Sequence, residues 1–381
     1  MAGPRSLHVA LRQSAPIPLD AAFSCEPGEV LALVGPSGSG KSTILRAIAG
    51  TYRPADGLVK VGAATWFEDA TGTHVPAHRR RVGMVFQSYA LFPHMTALGN
   101  VTAGMGHLPP AERDKRARAL LDLVHLSGLE GRRPGELSGG QQQRVAVARA
   151  LGREPEVLLL DEPFSAVDKA TRQRLYREIA ELRRVLDMPV VLVTHDLDEA
   201  TMLANRMVVL HHGRTLQAGT PEAVTSRPAS AEVARLVDMR NVFEGTVLGH
   251  DPGRGVTTIG WAGARPEIAA GTRLAWVVPD GFVVLHRRDR PSRGERENPV
   301  AGTVDSLLPI GQTAHVTLRP AHAPDLPLHF SVPLHVARRN GLVPGVLATV
   351  SLLGSGIHLM PAASVGAPAP DGSNPGAFKA S

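Results

Sequence analysis

The chain has 381 residues, of which 43% are hydrophobic, 20% charged and 4% aromatic, with a formal charge of +6. That length suggests two or three domains and ample material for a buried core, while so few aromatics argue against a stacking platform for single-stranded nucleic acid. One cysteine, Cys25, excludes an internal disulfide, and no apolar run approaches the ~20 residues needed to span a bilayer, so any membrane role has to work through partners. The N-terminus lacks an apolar stretch of signal-peptide length. Arginines are scattered beside acids, so the basicity reads as mostly solvated surface. The densest runs are "HRRR" (78–81) and "HRRDRPSRGERE" (286–297), and the second is broken by Pro, Gly and acids and reads as a loop.

In chain order, "EVLALVG" (29–35) reads as a buried strand. "STILRAIAG" (42–50) follows with Ile44, Leu45, Ile48 and Ala49 at helical spacing. "RVGMVFQ" (81–87) is strand-like, and "QRVAVARALG" (143–152) places Val145, Ala148 and Leu151 on one helix face. "EVLLLDE" (156–162) is an apolar strand ending in acids, and "TRQRLYREIAELRRVLD" (171–187) is a charged amphipathic surface helix. "PVVLVTHD" (189–196) and "RMVVLHHGR" (206–214) are further buried strands. Strands apolar throughout, alternating with helices, predict a mostly parallel sheet covered on both faces. Near residue 240 the grammar changes to short strands punctuated by Gly and Pro, which predicts a small all-β barrel or sandwich. "NVFEGTV" (241–247) and "NPVAGTV" (298–304) look alike and form a weak internal repeat, with chance recurrence of Gly-Thr-Val as the alternative. The tail, 362–381, is rich in Ala, Gly, Pro and Ser and reads as disordered.

The chemistry starts at "GPSGSGKS", Gly35, Pro36, Ser37, Gly38, Ser39, Gly40, Lys41 and Ser42, which fits G-x-x-x-x-G-K-[ST] between a strand and a helix. Backbone N–H groups of such a loop cradle phosphates. Lys41 brings a positive charge to them, and Ser42 offers an oxygen to Mg²⁺. Asp161, at the end of "VLLLD", can hold the same ion. Glu162 follows, and a carboxylate there can orient and deprotonate an attacking water, worth ~10²–10⁴-fold in rate. His195, just past a buried strand, can sense a γ-phosphate. Gln87 can touch Mg²⁺ or the water. "LSGGQQQR" (137–144) contains the capping box Ser138-x-x-Gln141. Gly139 and Gly140 need a further reason, because glycine inside a helix costs roughly 1 kcal/mol. Side-chain-free residues at a helix N-terminus make a second anion site, and one P-loop already serves one nucleotide, so this second site suits another chain's.

The ordered set "GPSGSGKST", "VFQ", "LSGGQQQR", "VLLLDEPFSAVD" and "VTHD" resembles the ATP-binding subunit of ABC transporters over roughly residues 5 to 235. The resemblance implies an α/β P-loop NTPase domain (1–237) followed by a small all-β OB-like domain of TOBE or MOP type (238–361). It makes Gly35 to Thr43 the Walker A motif, Gln87 the Q-loop, Asp161 and Glu162 Walker B, Asp168 the D-loop and His195 the H-loop. ATP and Mg²⁺ are the implied cofactors. The implied assembly is a head-to-tail homodimer that drives two membrane permease subunits, served indirectly by a substrate-binding protein, at the cytoplasmic face of the membrane. The segment 88–106 is where the family receives the permease. Details such as "THDLDEATMLA" look most like a molybdate-importer ATPase, with sulfate, iron and polyamine importers as alternatives. A soluble ABC ATPase acting on nucleic acid or ribosomes is a lesser reading, since this chain has one P-loop and no long heptad run. One departure stands out: residues 1 to 22 hold no aromatic to stack on adenine, leaving groups such as His8 or Arg12.

Overall fold

The computed structural model describes residues 5–165, 172, 176, 181, 186–251, 256–261, 271–287 and 297–362. The chain divides into two units, Met1–Ala229 and Ser230–Ser381. Of the helix expected over 171–187, Arg172, Tyr176, Glu181, Leu186 and Asp187 are described, the first three helical and the last two not, and the tail beyond 362 lies outside the described residues.

The first unit begins with β1 (Leu7–Gln13), β2 (Leu19–Cys25), β3 (Val30–Val34) and α1 (Lys41–Ala49). Three short strands follow, β4 (Asp56–Val61), β5 (Ala64–Glu68) and β6 (Thr73–His74), then β7 (Val82–Val85). Helices α2 (Ala97–Ala103), α3 (Pro110–Leu123) and α4 (Gly139–Leu151) come next. The unit continues with β8 (Val157–Asp161), β9 (Val190–Thr194), α5 (Leu197–Leu203), β10 (Arg206–His211), β11 (Arg214–Gly219) and α6 (Pro221–Ser226).

All eleven strands form one sheet, ordered β6-β5-β4-β1-β2-β11-β10-β3-β9-β8-β7. The strands β10-β3-β9-β8-β7 are mutually parallel, as their uniformly apolar sequences require. The expectation of a mostly parallel sheet is corrected on the other side, where β6-β5-β4-β1-β2 pair antiparallel, as do β10 and β11. The physical reason is visible in β1, where Leu7, Val9 and Leu11 are buried and the residues between them exposed, the one-faced alternation of an antiparallel strand. In the parallel strands neighbouring residues face two separate cores. Leu158, Leu160 and Leu192 join α2, α3 and α4 on one face, while Leu159, Val191 and Val193 join α1 and β1 on the other.

The run "HRRR" is not all solvated surface. Arg79 and Arg81 are exposed, but Arg80 is 1% exposed. Its guanidinium donates to Ala47 O and Ile48 O at 2.7 Å, to Val75 O at 2.8 Å and to Trp66 O at 3.2 Å, and lies 5.8 Å from the Trp66 ring centre. Burial pushes its pKa down to about 10. It sits at the negative end of α1, where a cation is favourable, and it ties that helix to the strand leading to Gln87. Gly50 closes α1 in the left-handed region, at φ +79°, and a Cβ there would also stand 2.6 Å from Arg80 Nε.

The second unit opens with α7 (Ala231–Leu236) and two antiparallel sheets. The first contains β12 (Val242–Asp251), β13 (Val256–Trp261) and β14 (Arg273–Val277). The second contains β15 (Val283–Leu285), β16 (Glu297–Ile310), β17 (Thr313–Pro320) and β18 (Leu328–Pro333), followed by α8 (Leu334–Arg339) and then β19 (Leu347–Leu353), also in this sheet. Strand β20 (His358–Pro361) returns to the first sheet beside β14. The two Gly-Thr-Val openings lie in β12 and β16 with matching registers. Gly245 pairs with Leu274 and Trp261, and Gly302 with Ala348 and Pro320, each three residues before a bulge in the hairpin that follows. A Cβ at Gly245 would lie 2.6 Å from Ile259 Cγ2, and one at Gly302 would lie 2.3 Å from Arg319 O. The recurrence is therefore structural.

Replacing Arg80 by Met should remove the side-chain donor from four carbonyls, of which Ala47 O and Trp66 O keep the backbone N–H groups of Gly50 and Val75, and destabilise the first unit by about 3 kcal/mol. Denaturant unfolding followed by Trp fluorescence, with Trp66 beside the site, would measure it, and Arg80→Lys should recover less than half.

Candidate active site

Strands β3, β7, β8 and β9 run parallel and end at one level, with Val34 opposite Thr194, Asp161 opposite Val193 and Val85 opposite Leu160. Each then releases one predicted motif at the carboxyl edge of the sheet, where open α/β sheets hold ligands. The loop after β3 needs its glycines. Gly35, Gly38 and Gly40 have φ of +151°, +81° and +96°, and a Cβ on Gly35 would stand 2.1 Å from Leu210 O.

Lys41 opens α1 and is 6% exposed. Its Nζ donates to Gly35 O at 2.7 Å and Pro36 O at 2.9 Å, with Ser39 Oγ at 3.4 Å. Burial lowers its pKa, while Glu162 and Asp161 oppose that shift. Ser42 Oγ donates to Asp161 Oδ1 at 3.2 Å. Burial raises the Asp161 pKa, and the Ser42 hydrogen bond works against it. Thr43 lies in the same first helical turn.

Glu162 is the centre of the group. Its Oε2 accepts from Gln87 Nε2 at 3.0 Å, and its Oε1 lies 3.3 Å from His195 Nδ1. Its backbone is left-handed, φ +43°, a strained conformation for a residue with a Cβ. Two main-chain bonds hold it, Glu162 N to Val193 O at 2.9 Å and Ser165 N to Glu162 O at 3.2 Å.

The structure thus brings Lys41, Ser42, Asp161, Glu162, Gln87 and His195 together. The segment around Ser138 pairs within itself: Ser138 Oγ accepts from Gln141 N at 3.3 Å and Gln141 Oε1 accepts from Ser138 N at 2.9 Å, the expected capping box ahead of Gly139 and Gly140. Asp168 lies outside the described residues. His8 and Arg12 stand on the exposed face of β1, His8 beside Ser6 Oγ at 3.1 Å and Arg12 3.8 Å from Asp20. Sequence reasoning missed Arg80, which nothing local separates from its arginine neighbours. It also missed Glu199 and Tyr176, whose role shows only in three dimensions.

A phosphate-cradling loop with its lysine, two acids at a neighbouring strand end and an amide and an imidazole on that acid define a P-loop nucleotide hydrolase. A family profile described as "ABC transporter" matches residues 19–165. The "Sulfate/thiosulfate import ATP-binding protein CysA 2" of Chromobacterium violaceum is 38% identical over 347 residues, 90% of each chain. The "Fe(3+) ions import ATP-binding protein FbpC" of Rhizobium etli is 47% identical over 232 residues, 60% of this chain and 64%, less than two thirds, of that relative. Among solved structures, a dimeric ATP-binding cassette in a post-hydrolysis state with ADP and phosphate is 31% identical, covering 56% of this chain and 98% of the other, with a TM-score of 0.47. The chain belongs to the ATP-binding subunits of ABC transporters, a family of ATPases coupled to transport.

Gly35→Ala should push the loop off Leu210 O, costing roughly 1–3 kcal/mol in stability. The thermal shift that MgATP gives the wild type should be largely lost. Calorimetric melting with and without nucleotide would measure both.

Proposed function

We propose that this protein is the ATP-hydrolysing subunit of an importer. In this reading it works as a head-to-tail homodimer on the cytoplasmic side of the membrane, bound to two integral membrane permease subunits that receive cargo from a substrate-binding protein. No described helix is long and apolar enough to cross a membrane. The observation that carries the reading is Glu162 beside the P-loop, one carboxylate oxygen accepting from Gln87 at 3.0 Å and the other 3.3 Å from His195 Nδ1.

The residues divide the work by position. Loop N–H groups and Lys41 bind the phosphates, and Lys41 exchanges its bonds to Gly35 O and Pro36 O for phosphate oxygens. Ser42 Oγ and Asp161 Oδ1 are converging hard oxygen donors, the set Mg²⁺ takes, with Gln87 within reach of the same edge. When bound, the ion neutralises charge on the phosphates. Glu162 accepts the proton of the attacking water. His195 orients Glu162 through Nδ1, and Gln87 holds its other oxygen. Ser138, Gly139, Gly140 and Gln141 serve the partner's nucleotide, together with Asp168.

Past Gln87, Tyr89 and Ala90 take φ of +60° and +46°, held by Arg149 donating to both carbonyls. Phe92, in the same loop, is 42% exposed, and Phe86, just before Gln87, is 44% exposed. An exposed aromatic, Phe92, on a braced loop suits the permease contact assigned to 88–106. The relatives reported above are named for sulfate and iron, so sulfate or ferric iron takes precedence over molybdate as cargo. The two antiparallel sheets of the second unit support a TOBE/MOP-like regulatory role for it.

Glu162→Gln should cut turnover ~10²–10⁴-fold while trapping an ATP-bound dimer, as read by phosphate release and light scattering. Turnover at the wild-type rate would remove Glu162 from the role of base. Gly140→Asp should leave MgATP binding by dilute monomer near wild type and stop hydrolysis. Retained hydrolysis would count against the shared site.

A further inference from the structure

Behind the Glu162–His195 contact lies a second set of polar groups with no part in the chemistry so far. Thr194, the last residue of β9, is 1% exposed, and Glu199 on α5 is 4% exposed. Thr194 Oγ1 donates to Glu199 Oε2 at 2.5 Å and accepts from Asp196 N at 3.0 Å. It therefore grips the chain on both sides of His195. The other Glu199 oxygen accepts from the Tyr176 hydroxyl at 3.1 Å. The Tyr176 ring, 4% exposed, stands edge-on to Phe164 at 4.9 Å and 89°. Phe164 is fully buried two residues after Glu162.

The two loops are thus joined twice. At the front, His195 meets Glu162 at 3.3 Å. At the rear, Thr194, Glu199, Tyr176 and Phe164 form an unbroken chain from one loop to the other. Stability alone does not ask for a carboxyl group here. Burying it is costly, and apolar replacements of buried polar networks are often neutral or stabilising. The two hydrogen bonds to Glu199 fix direction and length from Thr194 to the Tyr176 ring, and the edge-on ring contact carries the link on to Phe164. Burial raises the Glu199 pKa against the opposing hydrogen bonds from Thr194 and Tyr176, and takes the Tyr176 phenol well above its usual range, so that hydroxyl stays a donor.

We propose that Tyr176, Glu199 and Thr194 are positioning residues that hold His195 against Glu162, setting the rate of ATP hydrolysis and not the affinity for ATP. The inference rests on the ATPase reading above. It separates the rear chain from the P-loop, whose lysine and serine bond to other partners.

The test is steady-state ATP hydrolysis by the full chain in its assembled transporter, normalised to the folded fraction. Tyr176→Phe keeps the ring on Phe164 and removes only the hydroxyl. It should lower kcat about tenfold or more, since small misplacements at a reacting centre cost up to ~10²-fold, with KM for ATP unchanged within about twofold. Glu199→Ala should do the same. Glu199→Gln should restore most of the rate, because an amide can bridge both hydroxyls. The ring signals of His195 in the NMR spectrum should move in Tyr176→Phe and return toward wild type in no variant that lacks the bridge. Wild-type kcat in Tyr176→Phe and Glu199→Ala, or a raised KM at constant kcat, would overturn the inference while leaving the ATPase reading intact. Absence of hydrolysis by the wild type would remove both.

Discussion

The geometry of the active site depends on how β8 ends. Consecutive strand residues point to opposite faces, so Asp161 and Glu162 would ordinarily part, one toward each core. The left-handed backbone at Glu162 turns the chain off the sheet at that step. Asp161 then reaches Ser42, and Glu162 reaches Gln87 and His195. A non-glycine residue in this region costs about 1–3 kcal/mol. The cost is tolerated because the neighbouring strand is rigid: Val193, fully buried, supplies the carbonyl that holds the Glu162 N–H. The apolar parallel strands therefore set where these side chains emerge, because their register pairs Val34 with Thr194, Val193 with Asp161 and Leu160 with Val85.

The charges at that edge set what can bind there. Asp161 and Glu162 both lie close enough to Lys41 to favour its charged form, so two acids face one ammonium. Against a bare polyphosphate the two acids offset the attraction of Lys41 and of Arg46, the other cation acting on Asp161. A divalent cation reverses that, and in such sites the ion is the largest local charge. The Ser42–Asp161 pair offers oxygen donors where such an ion would be shared with phosphate. Two carboxylates beside the loop thus suit a metal–nucleotide complex better than the nucleotide alone, and Lys41 is held by the loop carbonyls Gly35 O and Pro36 O.

Much of this was legible because the chemistry is written in contiguous stretches with fixed local geometry. Gly35 to Ser42 announces its loop, and the uniformly apolar strands announce the face on which Asp161, Glu162 and His195 emerge. The antiparallel strands were harder to see. Leu7, Val9 and Leu11 alternate correctly, but the motifs lie elsewhere and draw the eye from that pattern. Arg80 was not legible at all. It sits among exposed arginines, and its burial is decided by the C-terminus of α1 and by Trp66, distant in sequence. Glu199 was hidden likewise, since an acid in the first turn of a helix ordinarily reads as a favourable surface charge.

The second unit shows the same limit from the other side. Its two halves share only a short glycine-bearing motif, yet β12 and β16 carry the same register on both flanks and the same bulge position. What is preserved is what the backbone demands: glycine where a neighbouring strand leaves no room for a Cβ, at Gly245 and Gly302. The flanking positions differ because each packs against different neighbours, Phe243 against Trp276 in one half and Val300 beside Val350 in the other. Both halves nevertheless contribute to one apolar core. Register and sterics alone thus set the glycine in both strands, which is why three shared residues were enough to point to the correspondence.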